Sequence, residues 1–227
     1  MTQSTLQGVL VVSLTVLASV ALARQCRKPT WWPGRLFARL MNASHFGVTA
    51  WGLKHITFEP DFTVLDVGCG GGRTIQQLLA LAPEGKVYGV DYADASVAVA
   101  TKINAPAIAA GCVDIRRGSV SNLPFAPQTF DVVTAVETHY YWPNLKADLE
   151  EVRRVLKPAG PVAIIAESYR GERSAVADRF AMRLLGSRLL TTDEHRAALI
   201  AAGYADVEVF EESRRGWICA VGAKGGG

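Results

Sequence analysis

The chain has 227 residues, a formal net charge of +3 and 49% apolar residues, which excludes a disordered chain. The charge is too small for a protein that binds nucleic acid through a basic surface. The four cysteines are far apart and form no C-x-x-C pair, so we expect no metal site and no disulfide framework. Such cysteines are typical of a reducing compartment.

The N-terminal segment differs from the rest of the chain in its charge. Residues 1–58 carry six basic residues and no acidic residue, and residues 2–23 carry no charge. Residues 6–23 are 18 positions, within the length range of a membrane-spanning helix. We therefore predict that residues 1–28 form a membrane anchor, whose basic flank places the following domain in the cytoplasm. A cleaved signal peptide and a helix buried against protein remain alternatives.

Residues 29–58 carry the signals of two short helices. Pro33 suits the first turn of a helix that runs to about residue 40. Ser44 can cap a second helix that runs to about residue 55 and contains His45. The pattern changes after Pro60, which predicts that residues 59–227 form a separate domain.

Strands and helices alternate in this domain. The predicted strands are 63–67, 86–91, 113–117, 130–136, 162–166, 206–212 and 217–222. The predicted helices are 74–81, 94–104, 145–156, 173–185 and 193–202. Alternation of this kind predicts an α/β fold with a parallel sheet covered on both faces. The last two strands are joined by a short turn, so one strand at an edge of the seven-stranded sheet must be antiparallel.

A glycine-rich loop, Asp66-Val-Gly-Cys-Gly-Gly-Gly-Arg73, follows the first predicted strand. Arg73 stands where the dinucleotide fingerprint requires glycine, and the Walker sequence is absent, which argues against a nucleotide-dependent oxidoreductase or an NTPase. Asp66 would repel a pyrophosphate but would favour an ammonium group. Asp91 ends the second strand, where an acid can accept hydrogen bonds from ribose hydroxyls. A ligand with a ribose, a cationic end and no phosphate fits both acids.

Five segments in order carry a family resemblance. They are VLDVGCGGGR (64–73), VYGVD (87–91), GSVSNLPF (118–125), FDVVTAVETHYYW (130–142) and EVRRVLKPAG (151–160). With these segments the chain resembles a class I S-adenosylmethionine-dependent methyltransferase of the small-molecule type, similar to the methyltransferase domain 11 group. The resemblance implies a Rossmann-like, doubly wound, mostly parallel sheet with N-terminal helices. It also implies that residues 29–58 form a helical lid over the cofactor.

The resemblance implies S-adenosylmethionine as the cofactor. Asp66 would lie near its ammonium group, Asp91 would bind the ribose, and Tyr92 and Val120 would enclose the adenine. Many relatives have an aspartate that binds the adenine amino group where this chain has Ser119. In this chain the hydroxyl or the backbone of Ser119 would have to bind that group. The full set of predicted cofactor-binding residues is Asp66, Gly68, Cys69, Gly70, Asp91, Tyr92, Ser119, Val120 and Val136.

The segment from Glu137 to Pro143 follows the fourth strand, where the methyl group should point. It contains an acid, an imidazole, two phenols and an indole. We predict Glu137, His139 and Tyr140 as catalytic residues, with Glu137 or His139 orienting or deprotonating the nucleophile. We predict Tyr141, Trp142 and His45 as substrate-binding residues. Packing of the two aromatic residues against the following helix, and capping or cofactor binding by Glu137, remain alternatives.

The predicted function is transfer of a methyl group from S-adenosylmethionine to a small molecule, and the anchor favours a lipophilic acceptor. The alternative is a catalytically silent protein of the same fold that binds the cofactor or a membrane partner. We expect a small-molecule substrate, no nucleic acid and membrane association through residues 6–23. The sequence fixes neither the acceptor atom nor the oligomeric state, because fold does not determine function.

Overall fold

The computed structural model describes residues 45–170, 187 and 189–226. The predicted anchor at 1–28, the predicted helix at 33–40 and the predicted helix at 173–185 lie outside the described residues. Within the described ranges, no helix has the length and apolar character needed to cross a membrane.

Seven strands and six α-helices are found in the described part of the chain. The strands are β1 (Thr63–Val67), β2 (Lys86–Asp91), β3 (Val113–Arg117), β4 (Val132–Val136), β5 (Pro161–Ala166), β6 (Tyr204–Glu212) and β7 (Trp217–Lys224). The helices are α1 (Phe46–Gly52), α2 (Arg73–Leu81), α3 (Asp94–Ile103), α4 (Ala105–Ala109), α5 (Leu145–Val155) and α6 (Thr192–Ala201). Two short 3₁₀ helices, Leu53–His55 and His139–Tyr141, complete the set.

The strands form one sheet in the order β3-β2-β1-β4-β5-β7-β6. The first five of these pair in parallel, and β7 is antiparallel to both β5 and β6. The predicted Rossmann-like sheet with a mixed edge is confirmed, and its reversed strand lies between β5 and the edge strand β6. The strand order reverses between β1 and β4, which is where open α/β sheets bind ligands.

Two apolar clusters cover the two faces of the sheet. On one face, residues of α5 and α6 such as Leu149, Val152 and Leu199 pack against the strands. On the other face, Val48 of α1 and Ile75 of α2 lie in the second cluster. Four consecutive residues of β1 are buried, and all of them except Asp66 are apolar, as expected for a parallel strand covered on both faces.

Helix α1 is held close to the carboxyl end of the sheet. A Cβ atom on Gly52 would lie 2.6 Å from Cγ1 of Ile165 in β5, so the helix approaches that strand through a residue without a side chain. The predicted helix from Ser44 to about residue 55 is shorter than expected, since Leu53–His55 tightens into the 3₁₀ turn. This packing brings His45 over the edge where β4 and β5 end.

Candidate active site

A cavity of about 340 Å³ opens at the carboxyl ends of β1, β2 and β4. The glycine loop, the ends of the strands and the start of α1 all contribute to its wall. The lining residues that had been predicted from the sequence are His45, Gly68, Cys69, Gly70, Asp91, Tyr92, Ser119, Val120, Val136, Glu137, Tyr141 and Trp142. Its volume falls within the range of small-molecule sites.

The glycine loop turns tightly because three of its glycines adopt left-handed backbone angles. The φ values are +74° at Gly68, +51° at Gly70 and +80° at Gly72. The N–H groups of Gly68 and Cys69 both donate to the carbonyl oxygen of Val90, at 2.7 and 3.0 Å, which ties the loop to β2. A Cβ atom on Gly70 would meet nothing closer than 4.0 Å, so the loop leaves open space for a ligand at this position.

Asp91 organises the loop as well as the cavity wall. Its carboxylate accepts hydrogen bonds from the N–H of Gly70 at 3.0 Å and the N–H of Ala93 at 2.8 Å. Burial raises the pKa of Asp91, while the two backbone donors act in the opposite direction. Ser96 also forms a hydrogen bond with this carboxylate, and the remaining lone-pair capacity can accept from a ligand hydroxyl.

Asp66 lies beneath the loop and is not among the residues that line the cavity within the described chain. It is 1% exposed, and the hydroxyl of Thr134 donates to its Oδ1 at 2.8 Å. Burial raises the pKa of Asp66 to about 7. Asp66 thus lies behind the wall of the cavity, and its predicted place near an ammonium group stays a prediction.

Glu137 occupies the opposite end of the cavity in a strained backbone conformation. Its φ is +56°, which is uncommon for a residue with a side chain and recurs at functional sites. Its Oε1 accepts from the backbone N–H of Glu167 and from the Tyr140 hydroxyl, the latter at 3.4 Å. Burial raises the pKa of Glu137 to about 8. These contacts fix the carboxyl group beside the open space.

His139 and Tyr140 are predicted from the sequence as catalytic residues, but neither side chain lines the cavity in the structure. The segment turns through a 3₁₀ helix directly after Glu137, which directs both side chains into the protein, where they are 3% and 4% exposed. The N–H of Ser168 donates to the Tyr140 hydroxyl at 3.2 Å, which leaves the single phenolic proton of Tyr140 for Glu137. His139 contacts His195 of α6 instead of a substrate.

The geometry agrees with the comparisons to known proteins. A family model described as a methyltransferase domain matches residues 65–164. Demethylmenaquinone methyltransferase from Symbiobacterium thermophilum is 35% identical over 104 residues, which are 45% of this chain and 41% of that relative. Residues 65–164 thus match the methyltransferase domain, which supports the resemblance of the chain to class I S-adenosylmethionine-dependent methyltransferases. The matched part thus spans less than half the length of that relative.

Two longer matches cover three quarters or more of the chain. An uncharacterized methyltransferase of Bacillus subtilis, YdaC, is 24% identical over 170 residues, which cover 75% of this chain and 86% of that relative. The crystal structure of a SAM-dependent methyltransferase from Aquifex aeolicus aligns with a TM-score of 0.69 and 21% identity. The alignment covers 84% of this chain and 98% of that one, and it shows a shared fold.

The residues that line this cavity fit S-adenosylmethionine, the methyl donor that the resemblance implies. The open space at Gly70 admits a close backbone approach, and Asp91 offers acceptors for a ribose. Tyr92 and Val120 line the same cavity beyond Asp91, as an adenine would require. The Ser119 hydroxyl accepts from the N–H of Ser121 at 3.2 Å and keeps one lone pair for an adenine amino group.

The predicted substrate residues lie at the other end of the cavity. Tyr141 and Trp142 line it, and the indole N–H of Trp142 donates to the Thr138 hydroxyl at 3.3 Å. His45 also lines it, and its Nε2 lies 3.8 Å from Oε2 of Glu167. Burial lowers the pKa of His45 to about 4, so the ring is neutral near pH 7.

Among the residues at the site that the sequence analysis missed, two lie beside Glu137. Thr138 lines the cavity and closes over Gly68, and Glu167 lies beside Glu137 and His45. A signal for Glu167 existed, because an acid directly follows β5 as Glu137 follows β4. Carboxyl ends of neighbouring parallel strands meet at the same edge of a sheet.

His195 of α6 is buried, with 1% of its surface exposed. Its Nδ1 lies 2.8 Å from the Thr191 carbonyl oxygen and must carry the proton, because a carbonyl only accepts. Nε2 of neutral His195 therefore accepts from Nε2–H of His139 at 3.1 Å. The pair links the 3₁₀ turn of the site to α6 as two neutral rings.

We expect the contribution of His195 to the free energy of unfolding to decrease below about pH 6.5, the ordinary histidine pKa. Burial lowers the pKa of His195 in the fold, so the unfolded chain takes up the proton first as the pH decreases. Neutral His195 contributes its whole stabilisation above about pH 6.5. This contribution is lost as the pH falls to the lowered pKa of His195 in the folded protein. His195→Gln should reduce the pH dependence by up to about 1.4 kcal/mol per pH unit.

Urea unfolding between about pH 7.5 and 5.5 measures this dependence. The matched control is His55→Gln, because His55 is less buried and stacks on Phe210 outside the cavity. It should change the slope less than His195→Gln does. An unaltered slope in His195→Gln would show that this ring does not titrate with folding.

Proposed function

We propose that the chain transfers a methyl group from S-adenosylmethionine to a small-molecule acceptor. The observation that carries the proposal is the continuity of one cavity from Asp91 to Trp142. The residues that fit the donor line one end, and an acid with two aromatic side chains lines the other. A donor and an acceptor can therefore lie end to end within one enclosure.

Positioning is the main contribution of the protein to this reaction. In S-adenosylmethionine the methyl group is bonded to a sulfonium, which is already a good leaving group. The protein therefore does not need to activate the leaving group. Gly70 and Asp91 fix one end of the donor, while Tyr141 and Trp142 confine the acceptor. Alignment of two reactants in this way contributes about 7–11 kcal/mol in well-oriented systems.

We propose a lipophilic, ring-bearing acceptor. Tyr141, Trp142 and Phe46 line the cavity, and aromatic walls favour flat apolar ligands. The Symbiobacterium relative is named for demethylmenaquinone, a substrate of that class. In this arrangement Glu137 orients the nucleophile of the acceptor or takes its proton, while Tyr140 acts as a positioning residue for Glu137.

A screen with S-adenosylmethionine carrying a labelled methyl group tests the proposal. The full chain is incubated with soluble and membrane extracts, and labelled products are identified by mass spectrometry. We expect a labelled lipophilic product, and we expect Glu137→Gln to reduce its rate of formation by about 10²–10⁴-fold when the acceptor must lose a proton. The control Glu150→Gln changes an exposed acid of α5 and should retain the rate.

Two outcomes would contradict the proposal in different ways. Bound S-adenosylmethionine without any labelled product would favour the catalytically silent alternative. A labelled product from Glu137→Gln at the full rate would remove Glu137 from the reaction while leaving methyl transfer intact.

We also propose that residues 1–28 anchor the protein to a membrane, with residues 29–58 as a helical lid and residues 59–227 as the cytoplasmic catalytic domain. The support is the uncharged stretch at 6–23 and the basic residues that follow it. Such an anchor would hold the cavity near a lipophilic acceptor. Full-length protein should remain in the membrane fraction after a carbonate wash. Recovery of all of it in the supernatant would contradict the anchor.

A further inference from the structure

Three side chains of metal-binding type meet at the acceptor end of the cavity. They are His45 before α1, Glu137 after β4 and Glu167 after β5. Their ligand atoms, one from each side chain, all lie within 4.8 Å of one another. The three segments are far apart in the sequence, so the fold brings the donors together. We expected no metal site from the sequence because of the spacing of the cysteines. That spacing gives no information about a cluster of histidine and glutamate.

The spacing of these atoms suits a single ion between them. Nε2 of His45 and Oε2 of Glu167 are 3.8 Å apart, which is beyond hydrogen-bond distance. Two ligands at about 2.1 Å from one transition-metal ion can be separated by at most about 4.2 Å. Side-chain adjustments of a few tenths of an ångström, at most about 0.6 Å, would bring all three atoms within that limit.

Glu137 is oriented by its neighbours as metal ligands commonly are. The Tyr140 hydroxyl and the N–H of Glu167 both donate to its Oε1. Such outer contacts fix the direction of a ligating carboxylate. The same N–H belongs to the second acid of the cluster, so the backbone after β5 couples the positions of the two carboxylates.

The charges of the cluster also favour a cation. Two carboxyl groups lie close together in a partly enclosed site, where like charges repel strongly. Within the described ranges, neither Glu137 nor Glu167 forms an ion pair with a lysine or arginine, and Glu167 has only the neutral ring of His45 at ion-pair distance. A divalent ion would balance both charges.

We propose that His45, Glu137 and Glu167 bind one divalent transition-metal ion with positions left open for an oxygen of the methyl acceptor. An imidazole with two carboxylates suits Mn²⁺ or Zn²⁺. Three protein ligands also leave a coordination position free for a substrate, as in catalytic zinc sites. The inference that an ion binds rests on the cluster alone, whereas the role of the ion with the acceptor rests on the proposed function.

The ion would make a hydroxyl of the acceptor more acidic and hold its oxygen towards the methyl group. The hydroxyl proton leaves to solvent, and the oxygen forms a new bond to the methyl carbon. The carbon–sulfur bond breaks with its electron pair remaining on sulfur, which gives a neutral thioether. No electrons are exchanged with the ion. Glu137 then serves as a ligand rather than as the base.

The direct test is titration of the chelator-treated full chain with MnCl₂, followed by the electron paramagnetic resonance signal of free Mn²⁺. We expect one ion per chain without any methyl donor, and competition by ZnCl₂. Glu167→Gln and His45→Ala should each weaken Mn²⁺ binding by at least about tenfold, since each removes one of three ligands. The controls His55→Ala and Glu150→Gln lie outside the cluster and should bind as the unmodified chain does.

Circular dichroism of each variant establishes that the variant is folded. Absence of stoichiometric Mn²⁺ binding in folded protein, or equal binding by Glu167→Gln, would overturn the metal site. Transfer of labelled methyl in the presence of a chelator separates the two proposals. A full rate under those conditions would reject the role of the ion with the acceptor while supporting methyl transfer. Mn²⁺ binding without any transfer would support the metal site and contradict the proposed function.

Discussion

Asp91→Asn should lower the affinity for S-adenosylmethionine by at least about 100-fold, which corresponds to about 2.7 kcal/mol. The substitution removes the charge that would accept a hydrogen bond from a ribose hydroxyl. It also disturbs the loop, because the carboxylate accepts from the N–H of Gly70 and of Ala93. An asparagine has one oxygen and would turn an N–H₂ group towards one of these donors. Titration calorimetry measures the affinity, and chemical denaturation measures the stability.

Asp94→Asn is the matched control for this prediction. Asp94 lies three residues further on, 79% exposed, and pairs with Arg117 at 3.0 Å. Exposed ion pairs of this kind contribute about 0–1 kcal/mol. We expect unchanged affinity in the control. Equal affinities of Asp91→Asn and Asp94→Asn would show that Asp91 does not bind the donor.

Gly68→Ala should abolish methyl transfer and destabilise the fold. The φ of +74° costs a residue with a side chain about 1–2 kcal/mol. In addition, the new Cβ would lie 2.7 Å from Cβ of Thr138, which is far too close for two carbon atoms. Relief of this clash must displace either the glycine loop or the segment after Glu137, and both line the cavity. Thermal unfolding and the labelled-methyl assay measure the two effects.

Gly111→Ala separates the clash from the backbone strain. Gly111 has a φ of +79°, and a Cβ at this position would meet nothing within 4 Å. It lies before β3, away from the cavity. This variant should lose about 1–2 kcal/mol of stability and retain methyl transfer. Equal losses of stability in Gly68→Ala and Gly111→Ala would show that contact with Thr138 adds nothing.

The alternation of apolar runs and amphipathic segments was sufficient to predict the sheet. Strands β1, β2 and β3 have the predicted bounds, because each is a short run between turn signals, buried or half-buried except at the exposed end of β3. The predicted strand at 130–136 begins later, at Val132, since Phe130 forms an isolated bridge with Leu156. Helix α4 was not predicted, because five residues that include a proline give no periodic pattern.

The positions of the site residues could be predicted better than their orientations. Glu137, Tyr141 and Trp142 line the cavity, but His139 and Tyr140 from the same segment do not. The difference arises from the positive φ of Glu137 and the 3₁₀ turn after it, which the sequence does not reveal. The contact of His139 with His195 spans 56 residues and depends on how α6 packs, so no local pattern could indicate it.

Titration calorimetry of the full chain with S-adenosylmethionine, with S-adenosylhomocysteine and with NAD tests the central claim most directly. The account predicts saturable binding of the first two ligands at one site per chain and no binding of NAD, since Arg73 interrupts the dinucleotide fingerprint. Failure of folded protein to bind either sulfur compound would contradict the claim.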